Sequence, residues 1–457
     1  MRERTFDVIV IGAGPAGEVA AGRLADGGKE VVVVEEHLIG GECSFYGCMP
    51  SKALLRPAQL LAEVARVPGA TEAVTGELDV AATLARRDQV IHDLDDASQL
   101  PWLQERDIAV VRGHGVLTGE REVRVGDELL RARDAVVLGV GTRAMLPPID
   151  GLEAARPWTN REVTTTKELP ASLAILGGGP IGCEMAEAYR SLGVVVTLLE
   201  GGDRILSKEE QFASALVTES LRTRGVDLRT GVRVGRVERP EPGGPVTLVL
   251  EGGGDVTADE LLVAAGRRSL TADLGIEAFG GEPGRPIEVD DQLRVPGHPW
   301  LFVCGDANGK ALLTHVGKHQ ARIASDVILG RDVRLRPSVD PPPRVTFTEP
   351  QVAAVGYTLA QAKAAGINAR SARATTSGNA GASFHGRNTP GESRIVIDDD
   401  RGVLVGATFT GPDVQDFLHA ATVAIVGAVP LEDLWHSVPA FPTRSEVWLH
   451  LLADAGL

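Results

Sequence analysis

VIVIGAGPAGEVAAGRLADGGKEVVVVEE, residues 8–36, decides the fold of this 457-residue chain. An apolar run leads into Gly12, Gly14 and Gly17, a helical stretch follows, and a second apolar run closes on Glu35 and Glu36. That order reads as strand, tight turn, helix, strand. Glycines at the three positions let the chain turn sharply and let its backbone approach a pyrophosphate, which then rests on helix N-terminal amides. The acid at the end of the second strand accepts hydrogen bonds from ribose hydroxyls. One such fingerprint is weak, because glycine-rich strand-to-helix turns also arise for packing alone. A second copy, ASLAILGGGPIGCEMAEAYRSLGVVVTLLEGGDRIL at residues 171–206, puts Gly177, Gly179, Gly182 and Glu200 in the same relative places. Two copies imply two dinucleotide sites. At the second, Glu200 would repel a 2′-phosphate and so favours NAD(H).

Composition bounds the rest. With 43% hydrophobic residues the chain can build real cores, and its length suits two to four domains. A net charge of −16 with no lysine or arginine run argues against nucleic acid or an anionic membrane as partner, leaving small molecules. No signal-peptide pattern precedes FDVIVIGAGPAG and no apolar stretch reaches about 18 residues, so a cytoplasmic location is expected.

Two of the four cysteines lie in GGECSFYGCMPSK, residues 40–52. In a reducing compartment a close pair such as Cys43 and Cys48 is more often metal-binding or redox-active than structural. MPSKALLRPAQLLAEVA reads as a helix running on from them. In an ideal helix a five-residue separation advances roughly 7.5 Å, beyond comfortable disulfide reach, so a bridge needs distorted backbone. Strained bridges are the easily reduced ones, and a thiolate near a helix start is stabilised. The plain alternative is two inert buried thiols; zinc is poorly served, since no second cysteine or histidine pair stands at metal spacing. Cys183 and Cys304, set in apolar runs, read as small core residues. Phe45 and Tyr46 either line a path to the cysteines or pack the turn.

On these motifs the chain resembles the flavoprotein disulfide reductase family over residues 5–452. GGECSFYGCMPSK resembles the signature GGTCxNxGCxPSK, retaining both cysteines, the glycine before the second and the PSK, and GVGTRAMLPPIDG, VAAGRRSLTADLGIE, LFVCGDANGKALLTH and VTFTEPQVAAVGYTLAQA follow in the family's order. The resemblance implies an α/β protein with two Rossmann-like dinucleotide-binding domains plus a C-terminal α+β dimerisation domain. The implied boundaries are 1–150 and 268–335 for the two parts of an FAD-binding domain, 151–267 for an NAD-binding domain and 336–457 for the dimerisation domain. It carries FAD contacts onto Gly12, Gly14, Pro15, Ala16, Gly17, Glu35, Glu36, Gly41, Lys52, Gly115, Gly141, Asp306 and Thr314. NAD(H) contacts fall on Gly177, Gly179, Ile181, Gly182, Glu200, Val234 and Gly266. By the same resemblance NADH reduces the flavin, Cys48 is the flavin-side thiolate, Cys43 is the interchange thiol that meets a small-molecule acceptor, and Lys52 pairs with Glu184. A homodimer is implied, each subunit sending a loop into its partner's site.

That loop usually reads HPTxxE, whose histidine protonates the leaving thiol while the glutamate orients it. Here the stretch is FPTRSE, residues 441–446: Phe441 replaces the histidine and Glu446 remains. Phenylalanine transfers no proton, and losing a positioned acid/base costs about 10² to 10⁴ in rate. An ordinary disulfide substrate is therefore not the first expectation. His436 and His450 stand nearby as substitute proton sources. Phenylalanine here also resembles the thioether-cleaving 2-ketopropyl coenzyme M oxidoreductase/carboxylase, although that pattern replaces the glutamate as well. The acceptors left open are a metal ion, a quinone or an activated disulfide, with thioether cleavage or dihydrolipoamide chemistry through another proton source as alternatives.

Overall fold

The computed structural model describes residues 2–336 and 340–457. They form two compact units, one of Met1–Pro50, Ala85–Met145 and Gly266–Arg336, the other of Ser51–Leu84, Leu146–Ala265 and Pro337–Leu457.

The first unit is built on the strand Arg2–Ile11, in which Val8, Ile9 and Val10 are wholly buried. A continuous apolar run of this kind suits a parallel strand covered on both faces. It lies between Val31–Glu35 and Glu128–Leu138, parallel to both, and the sheet extends to Ala109–Arg112 on one side and His298–Val303 on the other. The first strand therefore stands where the strand order reverses, and the crevice beyond its carboxyl end is where such sheets bind ligands. The helix Pro15–Asp26 leaves that end and packs on Thr314–Ile328. A Cβ added at Gly317 would meet the Ala16 methyl at ordinary contact distance and Gly305 more tightly, 3.1 Å from its Cα. Arg23 clamps the far end, donating twice to Asp326 at 2.8 Å.

In the second unit, four parallel strands run in the order Asp227–Thr230, Val195–Glu200, Ser172–Leu176, Glu260–Val263. An antiparallel meander of Val234–Glu238, Val246–Leu250 and Asp255–Ala258 stands beside them. A five-stranded antiparallel sheet, Arg344–Thr346, Gln351–Gly356, Val403–Gly411, Glu392–Asp398 and Ala369–Thr375, carries the helices Leu418–Val426 and Val447–Asp454. Among the described residues no helix is long and apolar enough to cross a membrane.

Candidate active site

The two glycine turns are alike down to single contacts. Gly12 and Gly177 have φ of +95° and +113°, and a Cβ on either would lie 2.6 Å from a carbonyl oxygen, of Gly139 and of Ala264 respectively. A Cβ on Gly17 would fall 1.8 Å from the Gly12 oxygen, and one on Gly182 would fall 1.9 Å from the Gly177 oxygen. Side chains are thus excluded where helix and strand meet. Gly14 and Gly179 are the N-caps of Pro15–Asp26 and Pro180–Ser191, and neither helix start has a side-chain cap, so its amides are free to take a phosphate.

The terminal acids match as closely. Glu35 accepts from the Ala13 amide at 2.6 Å and the His37 amide at 2.7 Å. Glu200 accepts from the Gly178 and Gly202 amides, both at 2.6 Å. Each carboxylate braces its own glycine turn and keeps lone pairs for a ribose diol. These cradles fit dinucleotides. Of the other residues expected at the NAD(H) cradle, Ile181 is partly exposed in the first turn of its helix and Val234 is buried in the meander, whereas Gly266 lies in the first unit and accepts from the Met145 amide at 3.0 Å.

In the first unit the cysteines lie just beyond the turn. Cys43 is in the short helix Gly41–Phe45, Cys48 opens the helix Cys48–Val64, and the break at Tyr46 and Gly47 is the distorted backbone that lets residues five apart face each other. Both are unbonded thiols here. The Cys43 thiol is held far above the ordinary cysteine range, first by its hydrogen bond to Cys48 and then by burial. Cys48 is exposed, 3.6 Å from the Thr314 hydroxyl, at a helix start that favours negative charge. The arrangement separates a half-buried thiol that holds its proton from an exposed sulfur at a helix start. Phe45 is buried against Gly40 and so packs the turn, while Tyr46 is half-buried. Cys183 and Cys304 are core residues, and burial pushes the Cys304 thiol up to about 12.

Asp306 joins a network that local sequence did not announce. Thr142, next to Gly141, donates to Asp306 Oδ2 at 2.6 Å; Arg267 donates to the Thr142 hydroxyl at 2.7 Å and reaches Glu42, beside Cys43, at 3.3 Å. Burial raises the Asp306 pKa, with the Thr142 bond and the Arg267 charge opposing it. Gly115 lines a cavity of about 270 Å³ together with Gly12, Glu35 and Glu36.

The second unit holds Lys52, Glu184, Phe441 and Glu446. Lys52 Nζ is 2.7 Å from Glu184 Oε2 and lies over the Phe347 ring, 4.6 Å from its centroid. Glu184 is 5% exposed at its side chain and accepts the Phe347 amide through its other oxygen at 2.9 Å, so the lysine's partner is itself fixed. Phe441 is 77% exposed. Glu446 accepts from the Gly381 amide at 3.3 Å, and His436 and His450 are both exposed. Among the described residues no cluster of three or more His, Cys, Asp or Glu could hold a resident metal.

Comparison with known proteins places this geometry. Dihydrolipoyl dehydrogenases from Bacillus subtilis (strain 168) are 30% and 32% identical, over 98% and 96% of this chain and 98% and 94% of theirs. The Cu(II) complex of the HOCl-induced flavoprotein disulfide reductase RclA from Escherichia coli superposes with a TM-score of 0.87 at 25% identity, covering 98% of this chain and 99% of that one. LpdA from Mycobacterium tuberculosis shares the fold with a TM-score of 0.85 at 24% identity, each chain fully covered. Residues 6–321 match the family described as pyridine nucleotide-disulphide oxidoreductase and residues 342–452 match its dimerisation domain, so the chain belongs to that family.

Proposed function

We propose that this chain is an NADH-dependent flavoenzyme whose Cys43–Cys48 pair reduces an acceptor that needs no proton from the enzyme, with Cu(II) as the first acceptor to test. Members of the family use FAD and NAD(P)H. When bound, FAD supplies the two-electron link between NADH and the cysteines. Gly12, Gly14 and Gly17 with Glu35 and Asp306 would hold it, and Gly177, Gly179, Gly182 and Glu200 would hold NADH. The boundaries expected above, the homodimer and a cytoplasmic location belong to the same reading.

Phe441 carries the choice of acceptor: it is exposed on the loop where an acid/base would stand, and its ring has no proton to give. Nothing in that arrangement delivers a proton to a leaving thiolate. Metal reduction has no such need. The reduced pair gives one electron to each of two Cu(II) ions, the sulfurs close to a disulfide, both Cu(I) ions leave, and the thiol protons pass to water. RclA, as its Cu(II) complex, supports the copper reading. Kinship with dihydrolipoyl dehydrogenases favours a second reading, lipoamide as acceptor with water or a histidine as proton source. Anaerobic turnover with NADH decides between them, using Cu(II), a quinone, lipoamide, glutathione disulfide and a thioether ketone. Fast copper reduction that Cys43→Ser abolishes, with slow lipoamide turnover, is expected. Lipoamide turnover at least as fast as copper turnover overturns the proposal.

A further inference from the structure

The cavity beside Glu35 has one rim closed by a histidine that neither glycine motif involves. His114 Nδ1 is 3.0 Å from Glu36 Oε2, just past the strand Val31–Glu35, and Nε2 is 2.9 Å from the Asp273 carbonyl oxygen. Both partners accept hydrogen bonds and donate none, whereas a neutral imidazole has only one N–H. Both distances are hydrogen bonds only when the ring carries two protons.

We propose that His114 is a proton-operated strap across the adenosine end of the first dinucleotide cleft. As imidazolium it ties Glu36 to Asp273; as neutral imidazole it must release one of them. His114 is thereby a positioning residue for the dinucleotide, not a catalytic one. The inference rests on the reading that this cleft takes FAD, whose ribose meets the acid at the end of the second strand.

The surroundings support the charged form. Glu36 and Asp273 bring negative charge, Glu35 is tied to the Ala13 and His37 amides, and the cationic lining residues are Arg143 and Arg268. The Asp273 carbonyl is the largest cause of a raised His114 pKa; burial opposes it and Glu36 adds to it. A raised pKa means that the strap is closed below the ordinary imidazole value of about 6.5 and opens as pH climbs through the raised one.

The test uses flavin-loaded protein. FAD release, followed by its fluorescence between about pH 6 and 9, should speed up about 2- to 5-fold as pH rises, the loss of one charged hydrogen bond at a half-exposed site. In Glu36→Gln the side-chain amide can donate to a neutral ring, so the profile should flatten and stay slow. In His114→Phe release should be fast at every pH. An NMR titration of His114 needs no flavin and should give a value above the ordinary one that falls in Glu36→Gln. A flat profile in the parent, an unaltered slope in Glu36→Gln, or a His114 pKa at or below the ordinary value overturns the strap. Protein that binds no flavin would defeat the cofactor reading, and the NMR titration would still judge the strap.

Discussion

Glu187→Gln should stabilise the second unit at pH 8 by about 3 kcal/mol and by much less near pH 5. Glu187 is 1% exposed in the helix Pro180–Ser191; Oε2 accepts the Glu349 amide at 2.8 Å and Oε1 has no hydrogen-bond partner. Burial, only partly offset by the Arg224 charge, pushes its pKa from 4.5 to about 7. In the unfolded chain the proton leaves at the ordinary value, so between the two values the folded state holds a proton that the unfolded state lacks. Stability therefore falls as pH rises from 4.5 and levels off above 7. A gap of about 2.5 units at about 1.4 kcal/mol each gives the stated size. Glutamine cannot ionise and its carbonyl keeps the Glu349 bond. Melting followed by circular dichroism at a series of pH values is the assay, with a midpoint gain of roughly 6–12 °C at pH 8 at about 2–4 °C per kcal/mol. The reasoning fails if the variant melts below the parent at pH 8, or if the difference between them does not change with pH.

In the holoprotein, Cys43→Ser should show long-wavelength absorbance from the remaining Cys48 thiolate against oxidised flavin, and Cys48→Ser should not; the reverse pattern would exchange the two roles. Glu200→Gln keeps one of the two turn contacts and removes the charge, so the preference for NADH over NADPH should narrow by about 10-fold, the size of one lost charged contact. An unchanged ratio of kcat/KM values would move the discrimination elsewhere. Glu184→Leu strips Lys52 of its partner and leaves the Phe347 amide unpaired, whereas Glu184→Gln keeps a carbonyl oxygen for the Phe347 amide and loses the charge and the Lys52 hydrogen bond. The leucine variant should be the less stable by about 1–3 kcal/mol in denaturant melts, and equal midpoints would show that the Phe347 bond contributes nothing. Phe441→His should raise lipoamide turnover by about 10²-fold or more, because Glu446 accepts the Gly381 amide through one oxygen and keeps the other to orient the ring; unchanged turnover would contradict that placement.

Both glycine turns were legible because their constraints are local: a strand, a positive-φ glycine and a helix lie within ten residues. The broken backbone between the cysteines was legible too, since a regular helix cannot bring residues five apart together. What the acids at the strand ends do was only half visible. Sequence assigns Glu35 and Glu200 to ribose, yet each also binds one amide of its glycine turn and one amide two residues past itself, contacts that need the folded loops to be seen. The choice for Phe45 needed the position of Gly40 as well. Glu42 with Arg267 and His114 with Asp273 were out of reach, because partners 225 and 159 residues apart obey no spacing rule.

The discontinuous construction of the units bears on how this chain emerges from a ribosome. Val136, Val137 and Leu138 pair on one side with Ile9, Val10 and Ile11 and on the other with Leu301, Phe302 and Val303. The second neighbour is translated some 165 residues later, which at about 5–20 residues per second is on the order of 10–30 s. Throughout that interval a hydrophobic strand edge stays open to pairing with other nascent chains. Slower elongation between residues 138 and 303 should therefore reduce soluble yield, and a holdase chaperone acting in that interval should restore it.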